Sequence, residues 1–82
     1  MNRNFRIVKF RGENMPEIVK FKAFCIERYK YAHNMSGKDT LHLFNQFGVM
    51  EYISSCYDAL HTFGDQYLIS EIDEFIAARK TQ

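Results

Sequence analysis

Cysteine, proline and glycine are all scarce in this chain, which has two Cys, one Pro and four Gly in 82 residues. Cys25 and Cys56 do not make the disulfide framework of a small exported domain, and they suit free, buried thiols in a reducing cytoplasm. Gly12, Gly37, Gly48 and Gly64 are isolated, so there is no glycine-rich loop to cradle a phosphate. No apolar run approaches the ~20 residues that a bilayer demands, and the first residues lack the apolar stretch of a secretory leader. Charge of one sign is missing too: the formal net charge is +1, against the clear basic excess of generic polyanion binders.

Aromatic residues are plentiful. Eight Phe and five Tyr supply most of a core, since each aromatic side chain buries roughly 150–250 Å². A chain of this length buries only about 60–65% of its unfolded surface, so one domain of modest stability is expected.

Charge is unevenly placed. Arg3, Arg6, Lys9 and Arg11 fall in residues 1–11 without an acid. Asp65, Glu71, Asp73 and Glu74 fall in residues 65–76 without a base. The two stretches could attract each other, contact different partners, or form separate solvated faces, the simplest reading. Residues 1–13 read as an N-terminal extension, and residues 14–80 as the helical domain. Asn4 to Phe10 suits a short strand, but a lone strand needs a dimer mate or another protein's sheet edge. The alternative is a flexible or irregular arm.

The expected fold is all-α, a compact four-helix domain preceded by that short basic extension. Asn14 and Glu17 have capping-box spacing, and Pro16 is tolerated in a first turn. Helix one then runs to His33–Asn34, with Ile18, Phe21, Cys25, Tyr29 and Ala32 on one stripe and Val19, Ala23 and Ile26 on a second. So wide an apolar surface implies a central helix. Ser36 with Asp39 opens helix two, which carries Leu41, Phe44 and Phe47 and closes at Gly48, with Val49 placed for a Schellman contact. Helix three spans Val49 to His61, with Met50, Ile53, Tyr57 and Leu60 inward. Thr62 with Asp65 caps helix four, which turns Leu68, Ile72, Phe75 and Ile76 inward.

Candidate chemistry concentrates between Tyr57 and Glu71. His61 lies three residues after Asp58, so the carboxylate could orient the imidazole, with Tyr57 and Tyr67 nearby. A general base still needs a nucleophile or substrate within reach, and the sequence identifies neither. His61 is more simply a packed helix end that bonds a carbonyl or Asp58, and Thr62 is more simply a cap. No catalytic residue, cofactor site or metal site is assigned. Cys25, Cys56, His33, His42 and His61 form none of the close pairs that place two ligands on one ion. Tyr29 and Tyr31 beside Arg28 and Lys30 point in different directions on a helix, so they make no base-stacking platform. Helices two and three resemble a helix-turn-helix, but Val49 to Ser55 contains no Arg or Lys to reach phosphates or guanine.

Phe24-Cys25-Ile26-Glu27, Ser36-Gly37, Gly48 with Tyr52-Ile53, and then Tyr57, Leu60-His61-Thr62, Gly64, Tyr67 and Asp73 follow a recognisable order. The chain resembles the small bacterial domain-of-unknown-function family thirty-seven ninety-one, over about residues 17–79. That resemblance implies a small helical protein, often encoded beside a protein similar to ADP-ribosyltransferases, as in a toxin with its neutralising partner. It supplies no catalytic residue, and the basic extension lies outside it.

The expected function is therefore a non-catalytic protein-interaction module, antitoxin-like, with a homodimer left open and no membrane partner. Its candidate interface takes in Tyr57, Asp58, His61, Thr62, Tyr67 and Glu71, together with the arm residues Arg3, Arg6, Lys9 and Arg11. A nucleic-acid-binding regulator using that arm is the alternative, disfavoured but open.

Overall fold

The computed structural model describes residues 15–81, and these are entirely helical apart from turns. The expected extension, its strand and Arg3, Arg6, Lys9 and Arg11 lie outside the described residues, as does Asn14. Five helices follow in order: α1 (Glu17–His33), α2 (Gly37–Phe47), α3 (Val49–Ser55), α4 (Tyr57–Leu60) and α5 (Asp65–Lys80).

Pro16, rather than Asn14, occupies the N-cap position of α1, and no side chain caps it. The ring costs nothing there, because a proline nitrogen before the first turn has no intrahelical acceptor to lose. Glu17 in the first turn and Lys30 and His33 in the last complement the helix dipole. Asn34 ends the helix in the left-handed region, at φ 54°. The Asn34 N–H donates to Tyr31 O at 3.3 Å and the Met35 N–H to Lys30 O at 3.0 Å, the two bonds of a Schellman motif. The expected motif at Gly48 is instead the simpler left-handed stop. Gly48, at φ 73°, donates to Phe44 O, and Val49 beyond it is fully buried.

Ser36 caps α2 as expected, its Oγ accepting the Asp39 N–H at 3.0 Å. Thr40 is the buried polar residue of this helix, and its hydroxyl is satisfied by donating to Ser36 O at 2.9 Å. Leu41, expected inside, points outward at 42% exposure, because the inner face is set by Thr40 and Phe44.

The single third helix expected from the sequence is two helices. Cys56, at φ −112° and ψ 21°, leaves helical geometry between α3 and α4. Ser54 and Ser55 precede the break, and serine hydroxyls compete for backbone groups, which lowers helix propensity. The break re-aims α4 so that Leu60 still enters the core while Tyr57 faces α1.

The last helix is also opened differently. Gly64 is the N-cap of α5 and no side chain caps it. Thr62 Oγ instead donates back to Ala59 O at 2.7 Å, closing the turn after α4. The Thr62 N–H to Ala59 O and Phe63 N–H to Leu60 O bonds show that tight turn, which leaves Thr62 too early to reach α5.

The core joins Cys25 and Tyr29 of α1, Phe44 of α2, Val49 and Ile53 of α3, Leu60 of α4, and Leu68, Ile72 and Ile76 of α5. α1 packs chiefly on α2 and α5, and more lightly on α3. It is central in that sense, but only one of its faces is covered: Val19, Ala23 and Ala32 are exposed.

Candidate functional site

Phe21 and Phe24 on the outer flank of α1 begin the site, with ring centroids 6.1 Å apart. Tyr57 meets Phe21 edge-on at 5.5 Å, and His61 stacks flat on Tyr57 at 4.5 Å with 6° between the planes. This i,i+4 stack holds because His61 Nδ1 lies 2.7 Å from Tyr57 O. A carbonyl only accepts, so Nδ1 carries the proton and donates, leaving Nε2 turned away from the backbone. Asp58 does not orient the ring, and among the described residues it makes no ion pair. Glu17, Lys20, Phe21, Phe24, Tyr57 and His61 line a shallow hollow of about 370 Å³.

Further along α1, two carboxylates of α5 clamp the helices together. Arg28 Nε donates to Asp65 Oδ2 at 3.1 Å while its guanidinium lies 5.7 Å from the Phe24 ring centroid. Asp65 sits in the first turn of α5, where the helix dipole also favours a negative charge. At the other end, Asp73 accepts from Tyr29 Oη at 2.6 Å and from His33 Nε2 at 3.0 Å. Tyr29 stacks on His33 with centroids 4.3 Å apart, and meets Phe44 edge-on at 5.2 Å. Burial, and then the bond to Asp73, push the Tyr29 hydroxyl well above its ordinary range, so it stays a donor. With both oxygens engaged, Asp73 braces α1 against α5.

Between the two clamps lies a second groove of about 370 Å³, open to solvent. Tyr31 and Ala32 of α1 and Gln66, Ile69 and Ser70 of α5 line it, with Arg28, Asp65 and Asp73 at its ends. Tyr31 is 72% exposed and Phe24 41%, unusual for aromatic rings in a domain that needs its apolar surface for a core. Phe21, Phe24, Arg28, Tyr31 and Ala32 follow i,i+3/i,i+4 spacing, so one face of α1 runs from the first hollow to the second groove.

Of the residues singled out in sequence, the structure brings Tyr57 and His61 together and onto this strip. Asp58 and Thr62 are exposed elsewhere. Tyr67 is 55% exposed and packs on Phe63 at 4.5 Å. Glu71 lies near Tyr52, whose hydroxyl is raised by burial and then by that carboxylate. The clamp residues Arg28–Asp65 and Tyr29–His33–Asp73 were not legible as a set. Tyr29 and His33 are one turn apart, a local hint, but Asp73 lies 40 residues beyond His33.

The remaining chemistry is sparse. Cys25 and Cys56 are free, Cys25 buried and Cys56 half-buried at the helix break. Burial pushes the Cys25 thiol up to about 12. Among the described residues, no three His, Cys, Asp or Glu side chains converge as metal ligands, and no helix is long and apolar enough to cross a membrane.

Fold and site together define a small all-α domain with a long, partly aromatic, solvent-open strip on its first helix. The chain belongs to the DUF3791 family, described as a protein of unknown function, which it matches over residues 20–79. The match begins inside α1 and ends inside α5, so the basic extension lies outside it. No curated protein and no solved structure matches the chain.

Proposed function

We propose that this protein is a non-catalytic interaction module and that the strip along α1, above all the α1–α5 groove, is its docking face. The observation that carries this reading is the open groove between the clamps, which exposed Tyr31 lines together with Ile69 and Ala32. Exposed tyrosine and arginine around a small apolar floor are the residue types that dominate binding energy at protein interfaces. The clamps hold the groove in shape before a partner arrives, which lowers the ordering cost of association.

The partner that best fits the family resemblance is an ADP-ribosyltransferase-like protein encoded alongside, with the present chain acting as an antitoxin in a bacterial cytoplasm. Free thiols suit such a reducing compartment. Co-expression with the adjacent reading frame tests the assignment: co-purification and rescue of growth are expected, and the absence of both would remove it. Nucleic-acid binding would rest on Arg3, Arg6, Lys9 and Arg11, and the helical body adds little to it. Residues 15–81 hold seven Lys and Arg against nine Asp and Glu.

A further inference from the structure

A third hollow opens where α2 gives way to α3, and it shares no residue with the strip on α1. It measures about 660 Å³ and is lined by Asn45, Gln46, Phe47, Gly48, Glu51 and Arg79. Arg79 is held there by two contacts. Its Nε donates to Phe47 O at 3.1 Å, and its guanidinium lies 4.9 Å from the Phe75 ring centroid. That ring is itself stacked on Tyr52 at 4.2 Å. The last turn of α2 has no basic residue of its own, so Arg79 Nε serves one of the carbonyls left over at its end.

That cap uses a single nitrogen. Among the described residues, the Nη groups of Arg79 make no hydrogen bond and no ion pair. Glu51, in the first turn of α3, likewise makes no ion pair there. Gly48 brings the two charges to one place. A side chain on Gly48 would begin 3.1 Å from Arg79 Nη2 and 3.7 Å from Glu51 Oε1, so both border the space that glycine leaves open. Lys80 is the other charge nearby, and its Nζ lies 5.9 Å from the Phe47 ring centroid.

We propose that this hollow binds a small zwitterion of the α-amino-acid class, its carboxylate on the Nη groups of Arg79 and its ammonium on Glu51. A guanidinium engaged through Nε still presents two parallel N–H donors, the geometry that takes a carboxylate in bidentate fashion. A plain anion would meet the Glu51 carboxylate, and a plain cation would meet Arg79. A ligand with both charges on adjacent groups satisfies each, and the negative end of the α2 dipole adds to the ammonium side. The Asn45 and Gln46 amides, lining the same hollow, offer donors and acceptors to the rest of the ligand.

The test is solution NMR of the full chain titrated with glycine, the smallest such zwitterion, and separately with sodium acetate and methylammonium chloride. Glycine should shift the amides of Asn45, Gln46, Gly48 and Glu51 with a Kd of about 1 mM, and each half-ligand should bind at least about tenfold more weakly. Glu51→Gln, a change at an exposed position, should weaken glycine about tenfold and strengthen acetate. Arg79→Lys keeps the charge but loses the paired donors, and should weaken both. Unchanged signals from Ile53 and Ile72 report that the fold is intact. No shift at ~20 mM glycine, or acetate as strong as glycine on the wild type, overturns the proposal. So does equal glycine binding by the wild type and Glu51→Gln. Neither variant touches the α1 strip, so the result stands apart from the docking role.

Discussion

Ser36 and Thr62 begin the same type of capping pattern, yet only Ser36 caps a helix. Ser36 Oγ takes an amide of α2, whereas Thr62 Oγ donates to a carbonyl behind it. Ser36→Ala should therefore cost about 1 kcal/mol, and Thr62→Ala only about 0.5 kcal/mol or less, in chemical denaturation. Equal losses would show that Thr62 does cap α5. The two thiols differ as clearly. Cys25 is fully buried and raised to about 12, while Cys56 is half-buried at a break in the helix. A thiol reagent at neutral pH should modify Cys56 first, and Cys25 only at the rate of unfolding. Mass spectrometry of the labelled peptides checks the order.

At the level of helices, the bond from Tyr29 to Asp73 is one of the polar ties between α1 and α5, beside His33–Asp73 and Arg28–Asp65. Tyr29→Phe keeps the stack on His33 and the contact with Phe44 but deletes a 2.6 Å bond to a carboxylate. A loss of roughly 1.5–3 kcal/mol is expected, measured by denaturant titration. Helix ends were readable where a local rule settled them. Ser36 as a cap and Gly48 as a stop each depend on residues within one turn. Cys56 was not readable, because Met50, Ile53, Tyr57 and Leu60 continue a helical period straight through it. The break is decided by packing, which must send Tyr57 to Phe21 while keeping Leu60 inside. Leu41 failed for a related reason: burial of Thr40, made tolerable by its bond to Ser36 O, rotates the inner face of α2 by about one residue.

At the scale of the molecule, and among the described residues, three groups hold their protons more tightly when folded: Cys25, Tyr29 and Tyr52. Raised values mean that the native state binds more protons than the unfolded chain once the latter ionises. Their stabilisation is thus complete below pH 9, the ordinary thiol value, and drains away at higher pH, for Cys25 as pH rises through about 12. Melting temperature should fall progressively above pH 9, and Cys25→Ala/Tyr29→Phe should flatten that slope. The candidate site was half legible at this scale. Tyr57 and His61 carried a local signal, four residues apart on one turn. Arg28–Asp65 and Tyr29–His33–Asp73 join residues 37 to 44 positions apart, and only the folded arrangement of α1 beside α5 reveals them. Phe24 and Tyr31 fell outside both apolar stripes of the first helix, and composition alone cannot tell an inner ring from an outer one.

The proposed docking role of the α1–α5 groove is tested most directly by titrating the proposed ADP-ribosyltransferase-like partner with the wild type, Tyr31→Ala and Ile69→Ser by calorimetry. A specific complex is expected with the wild type, weakened at least about tenfold by Tyr31→Ala, the truncation loss of an interface anchor. Tyr31 is exposed, so its replacement should leave the melting temperature unchanged. No binding, or binding of equal strength in all three proteins, would contradict the assignment of this groove.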